Sequence, residues 1–127
     1  MKKQLFLLSL VAACSLALTG CIALIAGAAA GTGVAYLGGE LKSNEPVGID
    51  KAWSATEKAV AAMEFKPVKR SKDALAAQYE GIGAADKRVT IKLKNAGDKV
   101  TEVRIRIGTF GDEPFSRTIL SKIQANY

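Results

Sequence analysis

Arg88-Val89-Thr90-Ile91-Lys92-Leu93-Lys94-Asn95-Ala96-Gly97-Asp98-Lys99-Val100-Thr101-Glu102-Val103-Arg104-Ile105-Arg106-Ile107 alternates apolar and polar side chains on either side of an Asn-Ala-Gly interruption. Successive side chains of a strand point to opposite faces. Val89, Ile91 and Leu93, followed by Val103, Ile105 and Ile107, therefore belong to one buried face, and Arg88, Lys92, Arg104 and Arg106 to the other. The stretch is predicted to be two half-buried antiparallel strands. A three-residue hairpin loop, Asn95-Ala96-Gly97 with Gly97 in the left-handed region, pairs Val89 with Val103 and Lys94 with Asp98 and keeps the apolar faces together. A loop one residue longer would set the apolar odd-numbered residues against the charged even-numbered ones, so core and turn specify the register jointly.

Toward the N-terminus, Leu75, Ala77 and Tyr79 repeat the alternation and predict a third strand. Phe65 to Arg70 is a shorter candidate. Pro67 has no N–H to give a ladder, which places this strand at a sheet edge. The basic run Lys66, Lys69, Arg70 and Lys72 reads as an edge guarded by charge, with contact to an anionic headgroup or polymer as the competing reading. Before it, Ile49-Asp50 opens a helix with Asp50 as the expected N-cap, and Trp53, Thr56, Val60 and Met63 form its apolar stripe. Trp53 on such a stripe is read as core rather than as a platform for stacking a ligand. Residues 40 to 47 make a further strand, ended by Pro46.

Beyond Ile107 the chain continues Gly108-Thr109-Phe110-Gly111-Asp112-Glu113-Pro114-Phe115-Ser116-Arg117. Asp112 is the expected N-cap of a second helix whose core stripe is Phe115, Ile119, Ile123 and Tyr127. A glycine-rich loop entering a helix can cradle an anion, but no Gly-Lys-Ser/Thr follows, and Asp112 and Glu113 already put negative charge there. The fold class is thus two-layer α+β: an antiparallel meander with two helices packed on one face.

The N-terminus carries a different message. Lys2 and Lys3 precede an uncharged run from Leu5 to Leu18, and Leu18-Thr19-Gly20-Cys21 follows at once. A charged region, an apolar region too short to span a bilayer and a small-residue cut site make a secretory signal. The final four residues have the spelling of a bacterial lipobox, in which the cysteine thiol is acylated and a peptidase then cuts before it. Residues 1–20 are expected to be removed, and Cys21 to carry the lipid. Removal takes two lysines and no acid, so the net charge falls from +6 to +4.

That cut leaves little catalytic chemistry. Cys14 departs with the signal, Cys21 is acylated and the sequence has no histidine. Disulfides, cysteine nucleophiles, zinc sites with nitrogen or sulfur ligands and histidine acid–base catalysis have no residues to use. No catalytic, cofactor-binding or metal residues are expected. Asp73 and Glu80 are the carboxylates an enzyme reading would need, and nothing in their spacing pairs them.

Residues 22–39 hold five glycines and no charge. They would span a bilayer as a helix, and Ala23, Gly27, Gly31, Ala35 and Gly39 recur at the four-residue spacing of close-packed membrane helices. Glycine at that density disfavours a helix in water. Residues 21–39 are accordingly read as a lipidated apolar tether, with membrane entry and packing onto the domain as open alternatives, and residues 40–127 as the globular domain.

Taken together, the lipobox and Gly/Ala-rich tether, Gly39-Glu40-Leu41-Lys42, Asp50-Lys51-Ala52-Trp53 and above all Ile105 to Glu113 followed by Ser116-Arg117 resemble a family of small bacterial lipoproteins classed as domain of unknown function 3568. The resemblance covers nearly all of residues 21–127. It implies an envelope location and brings no catalytic or binding residues with it.

The expected function is non-enzymatic: a lipid-anchored lipoprotein of the cell envelope that binds or supports an envelope protein. Ile22 stands where a retention signal would place aspartate, which favours the outer membrane facing the periplasm. The alternative is a carrier holding a small apolar or lipid-like ligand between helices and sheet. With no aromatic among the outward cations to stack a base, nucleic acid is not an expected partner.

Overall fold

The computed structural model describes residues 33–127. The expected signal peptide, Cys21 and residues 22–32 of the tether lie outside the described residues. The elements are Val34–Leu37 (β1), Glu40–Glu45 (β2), Ile49–Ala62 (α1), Lys66–Lys72 (β3), Ala76–Ile82 (β4), a 3-10 turn at Ala84–Asp86, Arg88–Gly97 (β5), Val100–Ile107 (β6) and Glu113–Gln124 (α2). All six strands form one antiparallel sheet in the order β1-β2-β6-β5-β4-β3. Both helices pack on its apolar face, giving the α+β architecture expected from the alternation.

α1 carries the chain from β2 across to the far edge, and the meander β3 to β6 brings it back, so that Ile105 lies between Leu41 of β2 and Ile91 of β5. These three, with Val89, Leu93, Val103 and Ile107, are at most 1% exposed. On α1 the buried line is centred on Ala52, Ala55 and Ala59. Thr56 and Val60 are also buried, while Trp53 and Met63 pack from its flank. Alanines let the helix approach the sheet closely, which a stripe centred on Trp53 would prevent. The buried Thr56 hydroxyl donates back to the Ala52 carbonyl at 2.8 Å, so no polar atom is left stranded there. α2 buries Ile119 and Ile123 as expected, with Phe115 meeting Phe65 edge-on at a centroid distance of 6.1 Å.

Four expectations need correction. Val89 pairs with Ile107, not Val103, because only Asp98 and Lys99 close the hairpin while Ala96 is bulged between the pairs Asn95–Thr101 and Gly97–Val100. A two-residue turn alone would flip one strand's facing; the extra residue restores it. Second, Leu75 does not join Ala77 and Tyr79 inside. The Asp73 carboxylate accepts from the Leu75 and Ala76 N–H groups at 2.8 and 2.9 Å, forming a turn that leaves Leu75 68% exposed before β4 begins. Third, Gly48 rather than Asp50 is the N-cap of α1; Asp50 sits in the first turn and pairs with Lys72 at 2.6 Å. Fourth, the folded unit starts before Glu40, since β1 pairs with β2 through Gly38 and Gly39, at φ 58° and 81°. Two consecutive positive φ values make the turn whose twist suits a tight hairpin, so Gly38 and Gly39, read as tether, are turn residues.

The edge strand expected from Phe65 to Arg70 is found at the sheet edge as Lys66–Lys72. β3 is exposed throughout, bulges between Pro67 and Lys69, and ties to α1 through Arg70–Glu57 at 3.7 Å and Lys72–Asp50.

Replacing Ile105 by aspartate is expected to destabilise the domain by several kcal/mol, since an unpaired carboxylate would stand where exposure is 0%. Thermal unfolding followed by far-UV circular dichroism measures it; an unchanged Tm would contradict the facing of β6.

Candidate functional site

The outer face of the sheet carries Arg88, Lys92, Arg104 and Arg106, as the alternation requires, together with the acids Glu40, Glu80 and Glu102. Arg104 reaches Glu102 at 2.5 Å and Glu40 at 3.7 Å, Lys42 reaches Glu102 at 3.0 Å, and Arg88 reaches Glu80 at 3.5 Å. Partial burial pulls the Glu102 carboxyl upward, yet the hydrogen bonds and charges of Lys42 and Arg104 outweigh it and hold Glu102 below the usual carboxylate range. The face is basic but partly neutralised: Glu40, Glu80 and Glu102 pair with Arg104, Arg88 and Lys42, while Lys42, Arg104 and Lys92 lie side by side in register across β2, β6 and β5. Toward the β3–β4 turn it opens into a groove of ≈ 490 Å³, with Lys92, Lys94 and Gln78 on its floor and Lys72, Asp73 and Leu75 at its end.

The glycine-rich loop after β6 is a structural clasp. The Arg106 guanidinium donates to the Gly38 carbonyl at 2.7 Å and to the Thr109 carbonyl at 3.1 Å, joining the β1–β2 turn to the loop before α2. A Cβ on Gly39 would stand 2.6 Å from the Phe110 carbonyl oxygen, and one on Gly111 would strike the Gly39 carbonyl and the Tyr36 hydroxyl. Gly111 also has φ 83°, so both backbone conformation and space demand glycine there. Asp112 then caps α2 as expected, accepting from the Phe115 N–H at 3.0 Å, with Lys87 at 3.4 Å. That backbone hydrogen bond, followed by Lys87, holds the Asp112 carboxyl low despite slight burial.

At the opposite end of the sheet, Glu45 is only 3% exposed. The Ser43 hydroxyl donates to it, and the Gln124 amide donates to its two oxygens at 3.2 and 3.3 Å. The Tyr127 hydroxyl is buried beside it without a well-formed hydrogen bond. Burial, then the Glu45 charge, push that phenol far above its ordinary pKa. The cluster fastens the last turn of α2 to β2. A single glutamate before a proline, in a segment of otherwise mixed polarity, gave no signal for it.

The candidate carboxylates are not brought together. Asp73 is occupied at the β3–β4 turn, whereas Glu80, at the other half of β4, accepts from Gln78 and faces Arg88. Trp53 packs on the core margin. Among the described residues no helix is long and apolar enough to cross a membrane.

A family model described as a protein of unknown function, DUF3568, matches residues 4–126. The chain belongs to this family. No curated protein matches it significantly. The match spans every described element, and within it Ile105 to Glu113 builds the clasp with the β1–β2 turn: Arg106 donates to two carbonyls, Gly111 fits against Gly39, and Asp112 caps α2.

Two outcomes follow from the clasp. Gly111→Ala should destabilise the domain by roughly 1–3 kcal/mol, because a left-handed residue gains a clashing methyl; a melt equal to the parent's would show that the loops are not in contact. For Asp112, a folded pKa below the unfolded value means stability that is present above about 3.9 and lost as the pH falls through the folded value. The Tm gap between the parent and Asp112→Ala should therefore be full at neutral pH and close in acid, and a gap independent of pH would refute the charged cap.

Proposed function

We propose that this chain is a bacterial lipoprotein: exported, cut before Cys21, acylated on that thiol and held on a membrane of the cell envelope, where its domain recognises or supports a protein partner without catalysing a reaction. The observation that carries the reading is Lys2-Lys3, the uncharged run to Leu18, and Leu18-Thr19-Gly20-Cys21 in immediate succession. Among the described residues the first strand begins at Val34, with residues 22–33 between it and Cys21 in sequence. Ile22 after the cysteine favours onward transfer to the outer membrane of a two-membrane bacterium, with the domain in the periplasm.

Recognition on the surface is favoured over an enclosed ligand by how the layers meet. Ala52, Ala55 and Ala59 of α1, Ile119 and Ile123 of α2, and the inward side chains of β5 and β6 are each at most 1% exposed, so side chains fill the space where a carrier would hold an apolar guest. The groove opens instead on the polar outer face.

Cys21→Ser is expected to accumulate as the uncut precursor and to lose incorporation of labelled palmitate, read by mass and by metabolic labelling. A variant that is still cut before residue 21 and still fractionates with membranes would overturn the lipoprotein reading. Separation of the two membranes tests the sorting step: recovery of the parent in the inner membrane would reject outer-membrane placement.

A further inference from the structure

The clasp holds two apolar side chains out into solvent. Leu37, at the end of β1, is 78% exposed, and Phe110, in the loop before α2, is 92% exposed. Single exposed apolar residues are ordinary on a protein surface, and their exposure alone means little. The support given to these two is what sets them apart. Arg106 bridges the two loops through the Gly38 and Thr109 carbonyls, the backbones of Gly39 and Phe110 touch, and the Tyr36 hydroxyl closes against Gly111. Ile107 is locked in the core on one side of Phe110, and the Asp112 cap is locked to α2 on the other. Gly38 and Gly108 have nothing within 4 Å of where a Cβ would stand, so the loops project from the end of the sheet. The ring is thereby presented on a stiffened tip, and little conformational freedom remains to be lost when it meets a partner.

The charges near this tip are already engaged. Arg106 is on backbone carbonyls, Lys87 on Asp112 and Arg88 on Glu80. The other exposed large apolar residues differ: Val34, at the start of β1, is only 36% exposed, and Val68 and Leu75 lie on or beside β3, among Lys66, Lys69, Arg70 and Lys72.

We propose that Leu37 and Phe110 form a membrane-contacting tip, inserted at the headgroup boundary of the bilayer that carries the Cys21 lipid. The inference rests on the lipoprotein reading above. What selects a lipid surface as the occupant is the chain leading to the tip. Residues 22–33 carry no charge and join Cys21 directly to β1, and at 3.3–3.6 Å per residue they reach about 40 Å at most. β1 then runs from Val34 to Leu37, so the tip lies roughly 10 Å along the strand from the point where the anchor segment enters the domain. Contact needs no path around the domain. The anchor also keeps the tip at high local concentration beside the membrane, which makes a small apolar contact sufficient. A projecting pair of side chains suits the deformable headgroup region, where a ring can sit with its polar backbone still hydrated. With the tip down, the end of the sheet bearing Lys94 and the β5–β6 turn points away from the bilayer, and the outer-face groove stands clear of it.

The test uses the full chain, processed and lipidated, purified from membranes and reconstituted into vesicles of phosphatidylethanolamine and phosphatidylglycerol. Phe110→Cys, and as a distal control Asp98→Cys, are labelled with a polarity-sensitive dye; both positions are exposed, so the domain should melt as the parent does. The expected result is blue-shifted emission at position 110, quenching there by spin-labelled lipid, and iodide quenching several-fold weaker than at position 98. Vesicle flotation reports the anchor separately. Protein that floats while position 110 is as open to iodide as position 98 overturns the tip and leaves the anchor standing. Processed chain that does not float rejects both. Protection of position 110 in whole envelopes but not in protein-free vesicles also overturns the proposal, because it assigns the tip to a protein partner.

Discussion

The fold depends on a parity constraint in the β5–β6 hairpin. Side chains alternate with period two, so the number of residues between paired positions decides whether Val103, Ile105 and Ile107 face the same side as Val89, Ile91 and Leu93. The tight turn at Asp98 and Lys99 would by itself give the wrong parity, and the bulge at Ala96 corrects it. Everything else on the apolar face inherits that setting. Leu41 opposes Ile105, Ala77 opposes Leu93, and Tyr79 opposes Ile91. The bulge lies in the exposed last residues of β5, beyond the point where the helices cover the sheet, so its unpaired backbone meets water.

Given that face, closing the structure is a matter of how near the helices come. Three alanines on α1 set a short distance to the sheet, and the two ends of the layer are then fastened differently. At one end the Phe65–Phe115 contact and the Arg106 clasp join α2 to the loops; at the other Glu45, held by Ser43 and Gln124, joins α2 to β2, while the Thr101 hydroxyl donates to the Val47 carbonyl at 2.8 Å. A buried carboxylate with neutral donors in place of a cation is tolerable only because those donors are already positioned.

Most of this framework was legible in the sequence because it rests on periodicity. The strands of the meander, the Asp112 cap, the α2 stripe and the edge character of β3 follow from patterns that repeat or from residues with one backbone habit. The misreadings have equally definite causes. Val34-Ala35-Tyr36-Leu37 has no polar alternation and continues the uncharged composition of residues 22–33, and its turn glycines look like linker. Leu75 obeys the alternation but is pulled out by an aspartate turn that acts locally. The three-residue loop and the bulged two-residue turn share the same parity, so the core could not distinguish between them. For the candidate site, Cys21 is spelled by a contiguous motif, whereas the clasp joins residues about seventy positions apart through backbone atoms, and no side-chain pattern announces such contacts.

The clasp also changes what the family likeness means. A block such as Ile105 to Glu113 invites a search for a ligand, since glycines beside a charged pair at a helix start often build a binding loop. Here each of those features is consumed internally: Arg106 by two carbonyls, Asp112 by the helix it caps and by Lys87, and Gly39 and Gly111 by each other's backbone. With the Arg106 guanidinium and the Asp112 carboxylate both engaged, neither of the block's two charges is left for an incoming ligand. What it leaves exposed is apolar, a ring and a leucine, and its rigidity fixes where they point. The block therefore specifies a shape at one end of the sheet, where Leu37 and Phe110 stand exposed, while the groove opens toward the other end of the strands.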